Sequence, residues 1–154
     1  MSEVGEMFTE QKLILLVEDN PDDVLLTQRA FKKTPFKVKL DVVNDGEAAL
    51  DYLFRRGQYA SRGPEEPVVI LLDLKLPKVD GLEVLHQIKA DERTKMLPVV
   101  ILTSSKEQED LLRGYSLGVN SYIRKPVDYE HFLVAVQQLG IFWLSLNEPP
   151  PLKS

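Results

Sequence analysis

Asp73 ends the apolar run Val68-Val69-Ile70-Leu71-Leu72, and Glu18-Asp19 end the run Leu13-Ile14-Leu15-Leu16-Val17. Two further runs end on different groups: Val99-Val100-Ile101-Leu102 on Thr103, and Ser121-Tyr122-Ile123-Arg124 on Lys125-Pro126. If these runs are strands of one parallel sheet, all five side chains gather at the end where open α/β sheets place their chemistry. Three carboxylates packed together repel one another unless a cation joins them. An all-oxygen set without Cys or His suits Mg2+, which keeps some of its waters and leaves room for a phosphate oxygen. Lys125 adds a point charge and Thr103 a hydroxyl donor, a pair able to neutralise a phosphoryl group in transit. Asp73 is then either a nucleophile on phosphorus, which would give an acyl phosphate, or a metal ligand only.

The elements needed to position these groups can be read along the chain. Strands and helices alternate five times. The runs ending at Val17, Leu72 and Leu102 are continuously apolar, as strands covered on both faces are. Lys37-Val38-Lys39-Leu40-Asp41-Val42 alternates instead and reads as a half-exposed edge strand. Asn20 is placed to cap a first helix, with Pro21 at its first position and Asp22 and Asp23 on the positive end of its dipole. A second helix starts at Asp45, carries Ala49, Leu50, Leu53 and Phe54 on one face, and is expected to stop at Gly57. A third spans about Leu82 to Lys89. The next starts at Ser104 or Ser105 and stops at Gly118, and the last opens at Asp128 after a short fifth strand, Ser121 to Arg124. Such β-α units cross over right-handed. The expected fold is an α/β, doubly wound, five-stranded parallel sheet of order 2-1-3-4-5, flavodoxin-like. Residues 1–11 read as an N-terminal extension, 12–144 as the domain and 145–154 as a tail.

Bulk properties narrow the partners. The 154 residues suit one domain, and 44% hydrophobic content suffices for a core without staples. There is no cysteine, which excludes disulfides and fits the cytoplasm. No apolar run approaches the ~20 residues of a membrane span. A net charge of -5 gives no basic face for nucleic acid. Lys32, Lys33, Lys37 and Lys39 cluster around a turn and an edge strand, where they read as a solvated face. His86 and His131 fall on helices away from the acids and read as surface or packing residues.

From about Lys12 to Leu139 the chain resembles the receiver domain of two-component response regulators. The motifs are the Glu18-Asp19 pair, Asp73 followed by Pro77 and Asp80-Gly81, Thr103, Lys125-Pro126, and Tyr122 three residues before the lysine. The resemblance implies that Asp73 takes a phosphoryl group from a sensor histidine kinase. It implies that Asp19 and Asp73 bind Mg2+ directly, together with the main-chain carbonyl of Lys75, while Glu18 acts through water. Thr103 and Lys125 would bind the phosphoryl oxygens, Tyr122 would be the aromatic switch, and Lys125-Pro126 would be a cis peptide. Because bound carboxylates must be ionised, metal affinity is expected to fall on acidification. Lys75 and Ser105, two residues beyond Asp73 and Thr103, stand where they would shield or guide the water that hydrolyses the acyl phosphate.

Two rival readings share parts of this pattern. A phosphohydrolase of the haloacid dehalogenase class also uses a strand-end Asp with Mg2+, but needs a second acid two residues on as general acid. Here that residue is Lys75. A receiver-like scaffold without phosphorylation would be expected to lack the acids or Lys125. A nucleotide-binding fold is disfavoured because no glycine-rich loop follows the first strand.

Two features exceed a minimal receiver. Gln58 to Pro67 make a long loop after the second helix, expected to be a tolerated surface insertion. After the last helix come only Ile141 to Leu146 and a proline-rich tail. With no output domain expected, the chain resembles the stand-alone regulators that partner phytochrome-type kinases in cyanobacteria and other bacteria, signalling to an unidentified downstream protein. Phe132, Val136, Leu139 and Trp143 recur at helical spacing, and Ile141, Phe142, Leu144 and Leu146 add apolar surface around them. One monomer does not readily hide both sets, so a homodimer is expected, the alternative being that the tail folds back over its own domain. Its interface would be the last helix, the fifth strand, the helix before that strand and the C-terminal segment.

Overall fold

A computed structural model describes residues 11–103, 115–118, 121–124 and 129–140. Five strands, β1 (Lys12–Val17), β2 (Val38–Val43), β3 (Val69–Leu72), β4 (Val99–Thr103) and β5 (Ser121–Arg124), form one parallel sheet in the order β2-β1-β3-β4-β5. The expected order therefore holds, and β1 and β3 flank the switch point. Four helices are described: α1 (Pro21–Lys32), α2 (Gly46–Phe54), α3 (Gly81–Ala90) and α4 (Tyr129–Gly140). None of the described helices is long and apolar enough to cross a membrane.

The continuous apolar runs are explained by helices on both faces. Leu15, Val17, Ile70, Leu72, Val99 and Ile101 face α2 and α3, where Leu50, Leu53, Leu85 and Ile88 meet them. Ile14, Leu16, Val69, Leu71, Val100 and Leu102 face the other way, against Ala30 and Phe31 of α1 and Val136 of α4. Successive strand side chains alternate faces, so a strand buried on both has no polar position to spare. β2 has neighbours on one side only and keeps Lys39 exposed.

Local signals set the helix starts. Asn20 Oδ1 accepts from the main-chain N–H of Asp22 at 2.9 Å, and Asp45 caps α2 by accepting from that of Ala48 at 2.7 Å. The left-handed Gly118, at φ 98°, closes the segment 115–118 as expected. The end of α2 differs from expectation. The helix stops at Phe54, and Arg55, not Gly57, takes the first left-handed conformation, at φ 52° and ψ 55°. A non-glycine residue is uncommon there. Arg55 is held by its side chain, which donates to the Gly63 carbonyl at 3.1 Å and pairs with Glu66. Gly57, at φ 60°, opens a short 3-10 turn, Gly57–Tyr59, instead.

The 58–67 loop is bound back onto the domain. The Arg62 guanidinium lies 4.0 Å over the Tyr52 ring and donates to the carbonyls of Tyr52 (2.9 Å) and Glu65 (2.7 Å) and to Glu66 (3.2 Å). Tyr59 meets Tyr52 edge-on at 5.3 Å. The Tyr52 hydroxyl donates to Asp41 on β2 at 2.7 Å. Burial first, then that bond and the Asp41 charge, push the phenol well above its usual 10.0, while Arg62 acts the other way. The folded chain therefore holds this proton more tightly than the unfolded chain does. The resulting stability is complete below pH 10 and is lost as the pH rises through the raised value. Tyr52→Phe should cost about 1 kcal/mol at neutral pH. It should also flatten the alkaline decline in stability, as followed by urea denaturation at neutral pH and above pH 10. An unchanged alkaline decline in the variant would contradict this account.

Candidate functional site

The acids come together where β1 and β3 end side by side. Val17 pairs in register with Leu72, and the Asp73 N–H donates to the Val17 carbonyl at 3.1 Å. The next residues, Glu18 and Asp19 on one strand and Asp73 on the other, then share one point beyond the sheet. One carboxylate oxygen from each lies within 4.8 Å of the others. Glu18 and Asp73 are 2% and 8% exposed, whereas Asp19 is open to solvent. The Asn20 N–H donates to Glu18 Oε2 at 3.3 Å, which fixes that carboxylate beside the start of α1.

This donor set fits a hard divalent cation. All three groups offer oxygen, two are withdrawn from water, and the exposed Asp19 leaves an approach from solvent. Like charges this close are unfavourable in a partly buried site, and a cation between them reverses the sign of the interaction.

The loop after Asp73 is built to stay compact. The Gly81 N–H donates to the Leu74 carbonyl at 3.0 Å. A Cβ at Gly81 would stand 2.3 Å from the Asp73 carbonyl oxygen and 2.6 Å from Leu74 Cα. Only glycine lets α3 start against this peptide, which gives the Asp80-Gly81 pair its physical reason. Lys75 is exposed at the mouth, its N–H 3.5 Å from Asp73 Oδ1.

Thr103 ends β4 in register with Arg124 at the end of β5, and Tyr122 pairs in register with Ile101. Both strands thus finish at the same end of the sheet as the acids. Lys125, the Lys125-Pro126 peptide, Ser104 and Ser105 lie outside the described residues, as do residues 1–10 and the C-terminal segment from Ile141. His86 is exposed on α3, 3.8 Å from Glu83, in keeping with a surface role. The sequence reading missed one group of neighbours. Asn44, Asp45 and Gly46, at the β2–α2 turn, reach both the acid pair and the loop after Asp73. Asn-Asp-Gly after a strand signals only a turn and a cap, and nothing local announces these distant partners.

A five-stranded parallel sheet of this order is a doubly wound α/β fold, and its acid triad stands at the β1–β3 switch point, where such folds bind their ligands. The family model of the response regulator receiver domain matches residues 14–137, and the chain belongs to that family. It is 46% identical over 138 residues to the probable methanogenesis regulatory protein FilR2 of Methanothrix harundinacea, covering 90% of this chain and 87% of that one. It is 41% identical over 133 residues to response regulator Rcp1 of Synechocystis, covering 86% of this chain and 89% of Rcp1. The Mn2+-bound structure of Rcp1 superimposes with a TM-score of 0.84 at 39% identity, over 91% of this chain and 99% of that one. The phosphorylated cyanobacterial phytochrome response regulator RcpA gives 0.84 at 41% identity, over 92% of this chain and all of the other (100%).

Proposed function

We propose that this chain is a phosphorylation-controlled response regulator that receives its phosphoryl group on Asp73 from a sensor histidine kinase. The observation that carries the reading is the convergence of Glu18, Asp19 and Asp73 within 4.8 Å at the sheet's switch point. Asp73 attacks the phosphorus of a phosphohistidine. The P–N bond breaks as an Asp73 O–P bond forms, and the released imidazole takes up a proton. Asp19 and Asp73, with the Lys75 carbonyl, would hold Mg2+, with Glu18 acting through water, and a cation bound there would offset the charge of the acids and of the incoming group. Lys125 and Thr103 take the phosphoryl oxygens, and Tyr122 relays the change along β5.

Mn2+ in the Rcp1 structure supports a divalent cation at these acids. Likeness to Rcp1 and RcpA over most of both chains supports a phytochrome-type kinase as the donor. Lys75 in place of an acid argues against a phosphohydrolase, so the chain is read as a phosphoacceptor and not a turnover enzyme. A cysteine-free composition is in keeping with the cytoplasm, where the kinase and an unidentified downstream protein would meet it. Incubation with Mg2+ and acetyl phosphate tests the reading. The expected product is one acid-stable, hydroxylamine-labile phosphoryl group per chain. Continuous phosphate release would point to a hydrolase, and no label at all to a scaffold.

The same reading makes the chain a homodimer that pairs through the last helix, the fifth strand, the helix before that strand and the C-terminal segment. Val134 on α4 is 50% exposed and Tyr115 is 52% exposed, while Val136 faces inward against α1. Truncation after Gly140, or Phe142→Ser with Trp143→Ser, should yield monomers that still accept phosphate. Sedimentation should show the full-length chain as a dimer. A full-length monomer at tens of micromolar, with and without phosphorylation, would end the proposal.

A further inference from the structure

We infer that the β2–α2 turn, Asn44-Asp45-Gly46, is a clamp that positions both sides of the acid site from outside it. The inference rests on the reading of those acids as a metal and phosphoacceptor site. On one side, Asn44 Nδ2 donates to the Glu18 carbonyl at 3.0 Å, while the Glu18 N–H donates to the Val43 carbonyl at 3.0 Å. The acid pair is therefore tied to the edge strand through both main-chain groups of Glu18. On the other side, the Gly46 N–H donates to the Pro77 carbonyl at 3.3 Å. A Cβ on Gly46 would fall 1.9 Å from the Val79 carbonyl oxygen and 2.7 Å from its carbon. The loop that starts at Asp73 thus rests directly on the first residue of α2, in a gap only glycine leaves.

One short turn therefore braces Glu18 on one side against the Pro77–Val79 part of the loop on the other, beyond the β1–β3 pairing that brings Asp73 beside the acid pair. Lys78, left-handed at φ 68°, also reaches Asp45 at 3.7 Å and Glu47 at 3.9 Å. Its side chain is 61% exposed, so these pairs contribute little. The clamp works through the close backbone contact at Gly46 and the Asn44 bond. Asn44 holds Glu18 through its main-chain carbonyl and Gly46 holds the loop through the Pro77 carbonyl, so the part of the turn is positioning. Groups that orient metal ligands from outside typically change affinity by about 10- to 100-fold when removed.

The test uses the full-length chain, with Mg2+ affinity measured by calorimetry and thermal melting followed with and without Mg2+. Asn44→Ala should weaken Mg2+ binding by about 10-fold. It should also shrink the Mg2+-induced rise in Tm at a fixed, sub-saturating concentration. Gly46→Ala should do the same and lower the metal-free Tm as well. Lys78→Ala should leave both quantities unchanged. A merely structural turn would lower Tm equally with and without Mg2+ and leave the affinity at the wild-type value, which would overturn the clamp. If Gly46→Ala does not fold, Asn44→Ala decides alone. Failure of the wild-type chain to bind Mg2+ would remove the metal reading first and the clamp with it, an outcome distinct from variants that bind as the wild type does.

Discussion

Asp73→Asn should fold as the wild type does and take up no phosphoryl label from acetyl phosphate or from a histidine kinase. The expected loss is complete, because the substitution removes the nucleophile and not its surroundings. An amide keeps the shape of the carboxylate and its acceptor oxygen, so the Lys75 N–H, 3.5 Å from Oδ1, keeps a neighbour. The backbone bond from Asp73 to Val17 does not involve the side chain. The amide oxygen carries no full charge, however, and cannot form the acyl phosphate. Asp73 is 8% exposed and the amide fills the same space, so the metal-free Tm of the variant should stay close to that of the wild type. Intact-mass measurement after incubation with Mg2+ and acetyl phosphate reads the label. Undiminished labelling of Asp73→Asn at another residue would sink the assignment of Asp73.

The frame of this molecule was legible because it is written in local patterns. A strand covered on both faces needs every side chain apolar, and β1, β3 and β4 show that. β2, at the edge, alternates because it has neighbours on one side only. Asn20 followed by Pro21, Asp22 and Asp23 is a local signal for a capped helix start, and the cap is observed. The acids were legible for a related reason: in a parallel sheet, residues that follow strand ends share one side, so Glu18, Asp19 and Asp73 could be brought together without any distance being known. What escaped depends on partners far away in sequence. Arg55 ends α2 in a conformation that its own propensity disfavours, because Gly63 and Glu66 hold its side chain. The surface insertion expected at 58–67 is tied down by Arg62, whose guanidinium lies over the Tyr52 ring. The contact between Gly46 and Val79 joins two turns more than thirty residues apart, and only the packed structure reveals it.

Asp19→Ala should act in opposite directions on the two states of the protein, and the comparison with Glu18→Ala separates their roles. Without a cation, three carboxylates stand within 4.8 Å of one another. Two unit charges at about 4 Å repel by about 1 kcal/mol in bulk water and by more in a partly buried site. Removing Asp19 therefore relieves repulsion at little packing cost, since its side chain is exposed, and the metal-free protein should melt higher than the wild type. With Mg2+ the order should reverse. The wild type gains about 2.7 kcal/mol at a concentration a hundred times its Kd, and a variant that binds poorly gains almost nothing. Glu18→Ala should differ in both respects. Glu18 is 2% exposed and its carboxylate accepts from the Asn20 N–H, so its loss removes that bond and leaves a space in the packing. That cost offsets the relief of repulsion, and the metal-free Tm should rise less than in Asp19→Ala, or fall. If Glu18 acts on the cation through water, Mg2+ affinity in Glu18→Ala should drop by less than in Asp19→Ala. Melting curves with and without Mg2+, read beside calorimetric affinities, check both halves. Equal losses of affinity in the two variants would contradict the division of roles. A metal-free Asp19→Ala protein less stable than the wild type would show that repulsion among these acids is not what the cation relieves.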